Sequence, residues 1–191
     1  FKKTHELLKN NQKFTLDLNP KPGDSNRVFL PHKEIFMSVK KNNKILIDDG
    51  NIVLNIDKVM SDQIITEVLV GGKISNKKGV NIPETFIKMS SLTEKDVKDL
   101  KFCLDLSLDY IALSFVQKAK DIIDLKKYVG KQTGIMAKFE KPMAIKNMDE
   151  ILQHCDAAMV ARGDLGVEMP PEEVPIIQKK IVQSCRDFGI P

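Results

Sequence analysis

Two stretches of this chain carry an apolar run straight into charge. In AMVARGDLGVE, residues 158–168, the run leads into Arg162, Gly163 and Asp164, and GIMAKFE, residues 134–140, ends in Lys138 and Glu140. If both are buried strands, a cation and two carboxylates emerge at neighbouring strand tips. Lys138 and Glu140 are two apart, so in a strand they share a face, about 6.6 Å apart along the chain, while Phe139 points the other way. Asp164, at the tip of the next strand, is expected to approach Glu140. Two bare carboxylates about 4 Å apart repel by about 4 kcal/mol at an effective dielectric near 20. A divalent cation between them removes the conflict, and two carboxylates that leave the rest of the shell to water and substrate oxygens suit Mg2+. A neighbouring ammonium then makes a site for a ligand whose charge rises during reaction, such as a phosphoryl group or an enolate. Gly163 lets backbone come close to a ligand, and the N–H groups that follow it could bind a carboxylate. Ser114, in YIALSF at 110–115, ends a third apolar run.

Taken singly, these features are weak. A Lys and a Glu two apart in a strand are more often a surface pair, and a string as short as RGD occurs by chance. Ser114 reads as a structural hydroxyl, with no GxSxG elbow around it and no base placed to activate it. The conjunction carries more weight, because apolar strands tolerate three charged groups at one end only with compensation.

The elements that must position these residues come in two textures. Residues 1–84 read as an all-β domain. KFTLDL (13–18), KILID (44–48), NIVLNIDKV (51–59) and QIITEVLV (63–70) are short and rich in β-branched residues. Turn signals lie at NPKPGDSN (19–26), DDGN (48–51), SDQ (61–63) and GGK (71–73). About five or six short strands in this length predict a small barrel. Residues 85–191 alternate instead. Thr93 and Asp96 form a capping box, and Val97, Leu100 and Leu104 follow at helical spacing. Strands are expected at 110–115, 134–140 and 157–161, with helices near 119–129, 147–154 and 172–187. That order predicts an α/β fold with a parallel sheet and crossover helices, its apolar strands covered on both faces. Three such strands would leave two raw edges. The expected whole is therefore a larger (β/α)8, TIM-type barrel, which places its chemistry at the C-terminal strand ends.

Bulk properties exclude several alternatives. The 191 residues are 42% hydrophobic and 29% charged, an ordinary globular composition. The net charge of +4 comes from interspersed signs, and aromatics are 6% with no Trp, which argues against a nucleic-acid platform. Cys103, Cys155 and Cys185 lack metal-ligand spacing and fit buried thiols in a reducing compartment. His5, His32 and His154 are equally scattered, so no zinc site is expected. No apolar run approaches the roughly 20 residues of a membrane span, and a cytoplasmic protein is expected. A start at Phe1 and a stop after FGIP suggest an excerpt of a longer chain.

The chain resembles the pyruvate kinase family. MVARGDLGVE (159–168) is similar to that family's signature around its metal-binding aspartate, and KKGVNIP (77–83) to the return from its small lid domain into the barrel. LIDDGNIVL (46–54) resembles a lid hairpin, and SLTEKDVKDLKF (91–102) and ALSFVQKAKDI (112–122) resemble the next helix and strand. The resemblance runs through essentially the whole chain, in order and spacing. It implies that Lys138 is the catalytic lysine, stabilising the transferring phosphoryl group and the enolate oxygen. Glu140 and Asp164 would bind Mg2+ (or Mn2+). The backbone at Gly163 and Asp164 would hold the carboxylate of phosphoenolpyruvate, Ser114 would border that pocket, and Arg162 belongs to the same motif. Lys78 would reach the nucleotide phosphates from the lid, and Asp49 would sit on the lid hairpin facing the cleft. The implied partners are phosphoenolpyruvate or pyruvate and ADP or ATP, with no nucleic acid and no membrane, in a homo-tetrameric parent. A K+ site would lie outside this chain, and this stretch alone would be inactive. Phe139 stands where the family usually has an aliphatic residue, and Lys141, Pro142 and Met143 replace its usual polar residues. The rivals are another Mg2+-dependent barrel enzyme of the phosphoenolpyruvate and pyruvate type, a lyase or phosphomutase, and a non-catalytic binding module.

Overall fold

The structure, a computed structural model, describes residues 1–83, 85, 92–131 and 133–191. It forms two compact units, Phe1–Met89 and Ser90–Pro191. The expected boundary at 84–85 lies beside a stretch outside the described residues.

The first unit contains β1 (His5–Leu8), β2 (Lys13–Asp17), β3 (Arg27–Phe29), α1 (Lys33–Ser38), β4 (Lys44–Ile47), β5 (Ile52–Val59), β6 (Gln63–Val70), β7 (Gly72–Ser75) and β8 (Val80–Asn81). Its main sheet has six strands in the order β3-β2-β6-β5-β4-β8, and β1 pairs β7 as a separate antiparallel ribbon. Alternation decides the long strands: Ile52, Leu54 and Ile56 are buried while Val53, Asn55 and Asp57 are only half-buried. No ladder joins β3 to β8 among the described residues, so the pairing is that of an open sheet with a ribbon. The helical turn α1, which buries Ile35 and Phe36, makes the unit β-rich rather than all-β. The GGK signal at 71–73 also resolves differently, since Gly72 already opens β7. Glycine is needed at Gly71 because a Cβ there would stand 2.3 Å from the Leu8 carbonyl oxygen. The β4–β5 hairpin turns through Asp48, Asp49 and Gly50, all left-handed, with φ of 56°, 56° and 85°. Asp and Gly are the residues that accept such angles.

The second unit contains α2 (Glu94–Asp105), β9 (Tyr110–Leu113), α3 (Ala119–Lys126), β10 (Gly134–Phe139), α4 (Pro142–Lys146), α5 (Met148–Leu152), β11 (Ala157–Val160), α6 (Arg162–Glu168) and α7 (Val174–Phe188). The three strands are parallel, in the order β11-β10-β9. The capping box forms: Asp96 N–H donates to Thr93 Oγ1 at 3.1 Å, and Thr93 N–H donates to Asp96 Oδ2 at 2.8 Å. Ile135, Ala137 and Phe139 face a core shared with Ile122, Leu125, Ile151, Leu152, Leu165 and Ile181. The other face of β10 (Gly134, Met136, Lys138) is only half-buried, so one face is packed rather than the two expected. The helix expected at 147–154 is the shorter α5, preceded across Asn147 by α4, which the sequence reading did not anticipate, and the last helix ends at Gly189 with φ of 66°. No helix among the described residues is long and apolar enough to cross a membrane.

The main difference lies in the signature stretch. RGDLGVE is not a strand tip or loop but a helix that begins one residue after β11. Leu165 and Glu168, three apart and both buried, give it an inner side. Leu165 N–H donates to the Ala161 carbonyl at 2.9 Å, and Ala161 N–H donates to that of Phe139 at 3.2 Å, which ties the helix start to β10.

Candidate active site

The C-terminal ends of β9 and β10 bring three of the expected residues into contact. Lys138 Nζ donates to Ser114 Oγ at 2.9 Å and pairs with Glu140 Oε1 at 2.5 Å. Parallel register explains the neighbourhood: Ala137 lies opposite Leu113, so Lys138 and Ser114 leave adjacent positions. The Glu140 side chain is 3% exposed and that of Lys138 23%. A carboxylate buried this far requires a cation and donors. The ammonium supplies one, and the Phe115 backbone N–H, 2.9 Å from Glu140 Oε2, supplies another. Phe115 reaches that position with φ of 57°, an uncommon angle for a bulky residue. Below it the corner is braced by Asp121, whose carboxylate accepts from the N–H groups of Gln117 at 2.8 Å and Lys118 at 3.1 Å.

Arg162, Gly163 and Asp164 occupy the first turn of α6 and are exposed. They make no hydrogen bond or ion pair to the Lys138, Glu140 and Ser114 trio among the described residues. Nor do those residues hold any group of three or more His, Cys, Asp or Glu able to ligate a metal. Of the two carboxylates expected to hold a metal, Glu140 is buried and paired and Asp164 is open to solvent.

Sequence reasoning missed a second ion pair beside the first. Lys141 Nζ pairs with Oε1 of the buried Glu168. It also lies 5.6 Å from the centroid of the Phe115 ring. Residues 27 apart in the chain leave no periodic signal; a Glu inside the apolar LGVEMP is the one visible oddity.

On the β-rich unit, Asp49 lies in the β4–β5 turn and Lys78 reaches that turn from the segment before β8. Lys78 Nζ bonds Asp48 Oδ1 at 2.8 Å, so its direct partner is Asp48 and not Asp49. That hydrogen bond holds the Asp48 carboxyl below its ordinary value. The Asp48 N–H also donates to the Gly79 carbonyl at 3.0 Å, which binds the turn to the segment that carries Lys78. Cys155 and Cys185 are buried, as expected, while Cys103 is half-buried. Burial pushes the Cys155 thiol up to about 11 and the Cys185 thiol upward as well, which leaves both unreactive.

The family model described as pyruvate kinase, barrel domain, matches residues 2–191. Among curated proteins, the pyruvate kinase of Methylorubrum extorquens is 48% identical over 97% of this chain and 39% of its own length. One from Agrobacterium vitis is 49% identical over 84% of this chain and 33% of its own. One from Clostridium perfringens is 38% identical over 99% and 41%. The chain thus spans a third to two-fifths of the length of these relatives.

Proposed function

The chain belongs to the pyruvate kinase family, and from that premise we propose that the protein it forms part of transfers the phosphoryl group of phosphoenolpyruvate to ADP, a step of glycolysis. The contact of Lys138 with both Glu140 and Ser114 carries the proposal for this chain's own residues. The bond between phosphorus and the enol oxygen breaks, and one between phosphorus and a terminal oxygen of ADP forms. The enolate left behind takes a proton on carbon and becomes pyruvate. Negative charge shifts from the phosphoryl group to the enolate oxygen during the transfer. Lys138, held from two sides, presents an ammonium already oriented toward that charge, which is where a fixed cation lowers a barrier most. Backbone N–H groups at Gly163 and Asp164 hold the substrate carboxylate, with Arg162 beside them, and Ser114 borders the pocket while fixing the Lys138 ammonium. Lys78 and Asp49 serve the nucleotide from the β-rich unit, which acts as a lid on a TIM-type barrel.

Glu140 and Asp164 fit a hard divalent cation, Mg2+ or Mn2+. A carboxylate offers about four lone-pair positions, of which Glu140 uses two, for Lys138 and Phe115. Asp164 has no hydrogen-bond or ion-pair partner among the described residues, which leaves its oxygens for a ligand. When bound, the ion supplies further positive charge to phosphoryl and enolate oxygens. A K+ site lies outside these residues, and the whole protein is a cytoplasmic homo-tetramer that engages neither nucleic acid nor membrane.

The test is pyruvate release from phosphoenolpyruvate by the full-length protein with and without ADP. Release that requires ADP supports the proposal, and absence of ADP-dependent release would transfer it to a lyase or phosphomutase. The chain spans about two-fifths of several relatives, so residues 1–191 alone are expected to show no turnover, and measurable pyruvate from that purified piece would overturn this.

A further inference from the structure

α6 should not be well placed by its own sequence. It has seven residues, two of them glycine. Helices this short are unstable alone and glycine weakens them further. Its position must therefore come from what it packs on, and only Leu165 and Glu168 are buried. Leu165 enters the core at 0% exposure. Glu168 is the harder group to place: a carboxylate, 4% exposed, at the end of a helix where the dipole is negative. Both burial and position disfavour its charge, and a cation from another element offsets them.

That cation is Lys141, the residue after Glu140. Three segments meet there. Phe115, at the end of β9, gives its N–H to Glu140 and the face of its ring to the Lys141 ammonium. The end of β10 supplies Glu140 and Lys141 in succession. α6 supplies Glu168 from its last residue and carries Gly163 and Asp164 in its first turn. Pro142 then opens α4, and the residue before a proline is held to extended backbone, as Lys141 is, with φ of −121° and ψ of 142°.

We propose that Lys141 is a positioning residue: its ion pair with Glu168, against the Phe115 ring, sets where α6 is held relative to the end of β10, and so where Gly163 and Asp164 stand relative to Glu140. The pair acts through the helix and touches no substrate. Only its consequence for a bound ion rests on the function proposed above; the clamp itself does not.

The experiment uses the full-length protein with Lys141→Met, Glu168→Gln, the two combined, and Lys141→Arg. Amide hydrogen exchange over residues 163–168 reads the clamp without reference to catalysis. Mn2+ alone, titrated by electron paramagnetic resonance, reads the site. In Lys141→Met, exchange in α6 is expected to accelerate about tenfold while β10 stays protected. Mn2+ affinity is expected to fall about tenfold, the low end of what a lost outer contact costs a metal site. The double variant should be no worse than either single one, and Lys141→Arg should recover most of both signals. Unchanged exchange in α6, even with a lower melting temperature, would overturn the clamp. So would additive effects of the two single changes. Altered exchange with unaltered Mn2+ affinity would overturn the link to the site. Failure of the full-length parent to make pyruvate would refute the proposed reaction and leave the exchange result to decide the clamp.

Discussion

Lys138→Met removes an ion pair, a hydrogen bond and a proposed catalytic charge in one step. The 2.5 Å separation from Glu140 corresponds to a gross attraction of about 7 kcal/mol at an effective dielectric near 20. Desolvation of the buried carboxylate cancels much of that. Removing one partner of a buried pair costs about 3–5 kcal/mol, because the other charge is left without compensation. Lys138 keeps some solvent contact, so the lower half of that range is expected for stability. The catalytic loss is separate: one preorganised charge at the transition state is worth about 2.7–4 kcal/mol, or roughly 10²–10³ in kcat. Pyruvate release by the full-length protein at saturating phosphoenolpyruvate and ADP measures the second effect, and thermal melting the first. Lys138→Met combined with Glu140→Gln separates them. The double variant leaves no unpaired charge and should regain much of the melting temperature, but none of the turnover. A single variant whose kcat stays within about threefold of the parent would take Lys138 out of the mechanism. An unchanged melting temperature would mean that Glu140 does not depend on it.

Glu140→Gln should raise the Mg2+ concentration needed for half-maximal rate at least about tenfold; coincident titrations of variant and parent would remove Glu140 from the metal site. Thr93→Ala breaks the capping box of α2 and should cost about 1 kcal/mol, seen as faster exchange in the first turn of that helix; equal exchange would contradict the cap. Gly71→Ala puts a Cβ 2.3 Å from the Leu8 carbonyl and should destabilise the β1–β7 ribbon by about 1–3 kcal/mol, with an unshifted urea midpoint as the contrary result. Lys78→Met should let the Asp48 carboxyl titrate at higher pH, followed by carbon NMR, and an unmoved titration would contradict the pair. Because Lys78 lowers the folded value, the stabilisation from this pair is present above the unfolded value near 3.9 and fades as pH falls through the lower folded one. The variant should therefore lose less stability than the parent on acidification below about pH 4.

What the sequence made legible follows the reach of local physics. Ile52, Leu54 and Ile56 announce β5 because a half-buried strand alternates, and Thr93 with Asp96 announces α2 because a cap is a local bond. Lys138 and Glu140 were visible as a pair because positions two apart in a strand share a face. β3 and β8, with three and two residues, are too short to alternate. α6 was invisible for a different reason: with two glycines and Leu165 as its one buried apolar residue it carries no apolar helical period, so distant contacts hold it. The same limit hid the Lys141–Glu168 pair and the Phe115 N–H, whose partners lie 27 and 25 residues away. It also hid the pairing of Lys78 with Asp48, whose positions lie 30 apart in the chain.

The joint between β11 and α6 is a single residue, Ala161, buried and bonded on both sides. Such a joint has no slack. One inserted residue would turn everything beyond it by about 100° around the helix axis, since a turn takes 3.6 residues. Asp164 would then swing to a different side, and Leu165 would be pulled out of its seat. A change of length at Ala161 cannot be taken up by neighbouring side chains, because backbone bonds to Phe139 and Leu165 fix the spacing on both sides.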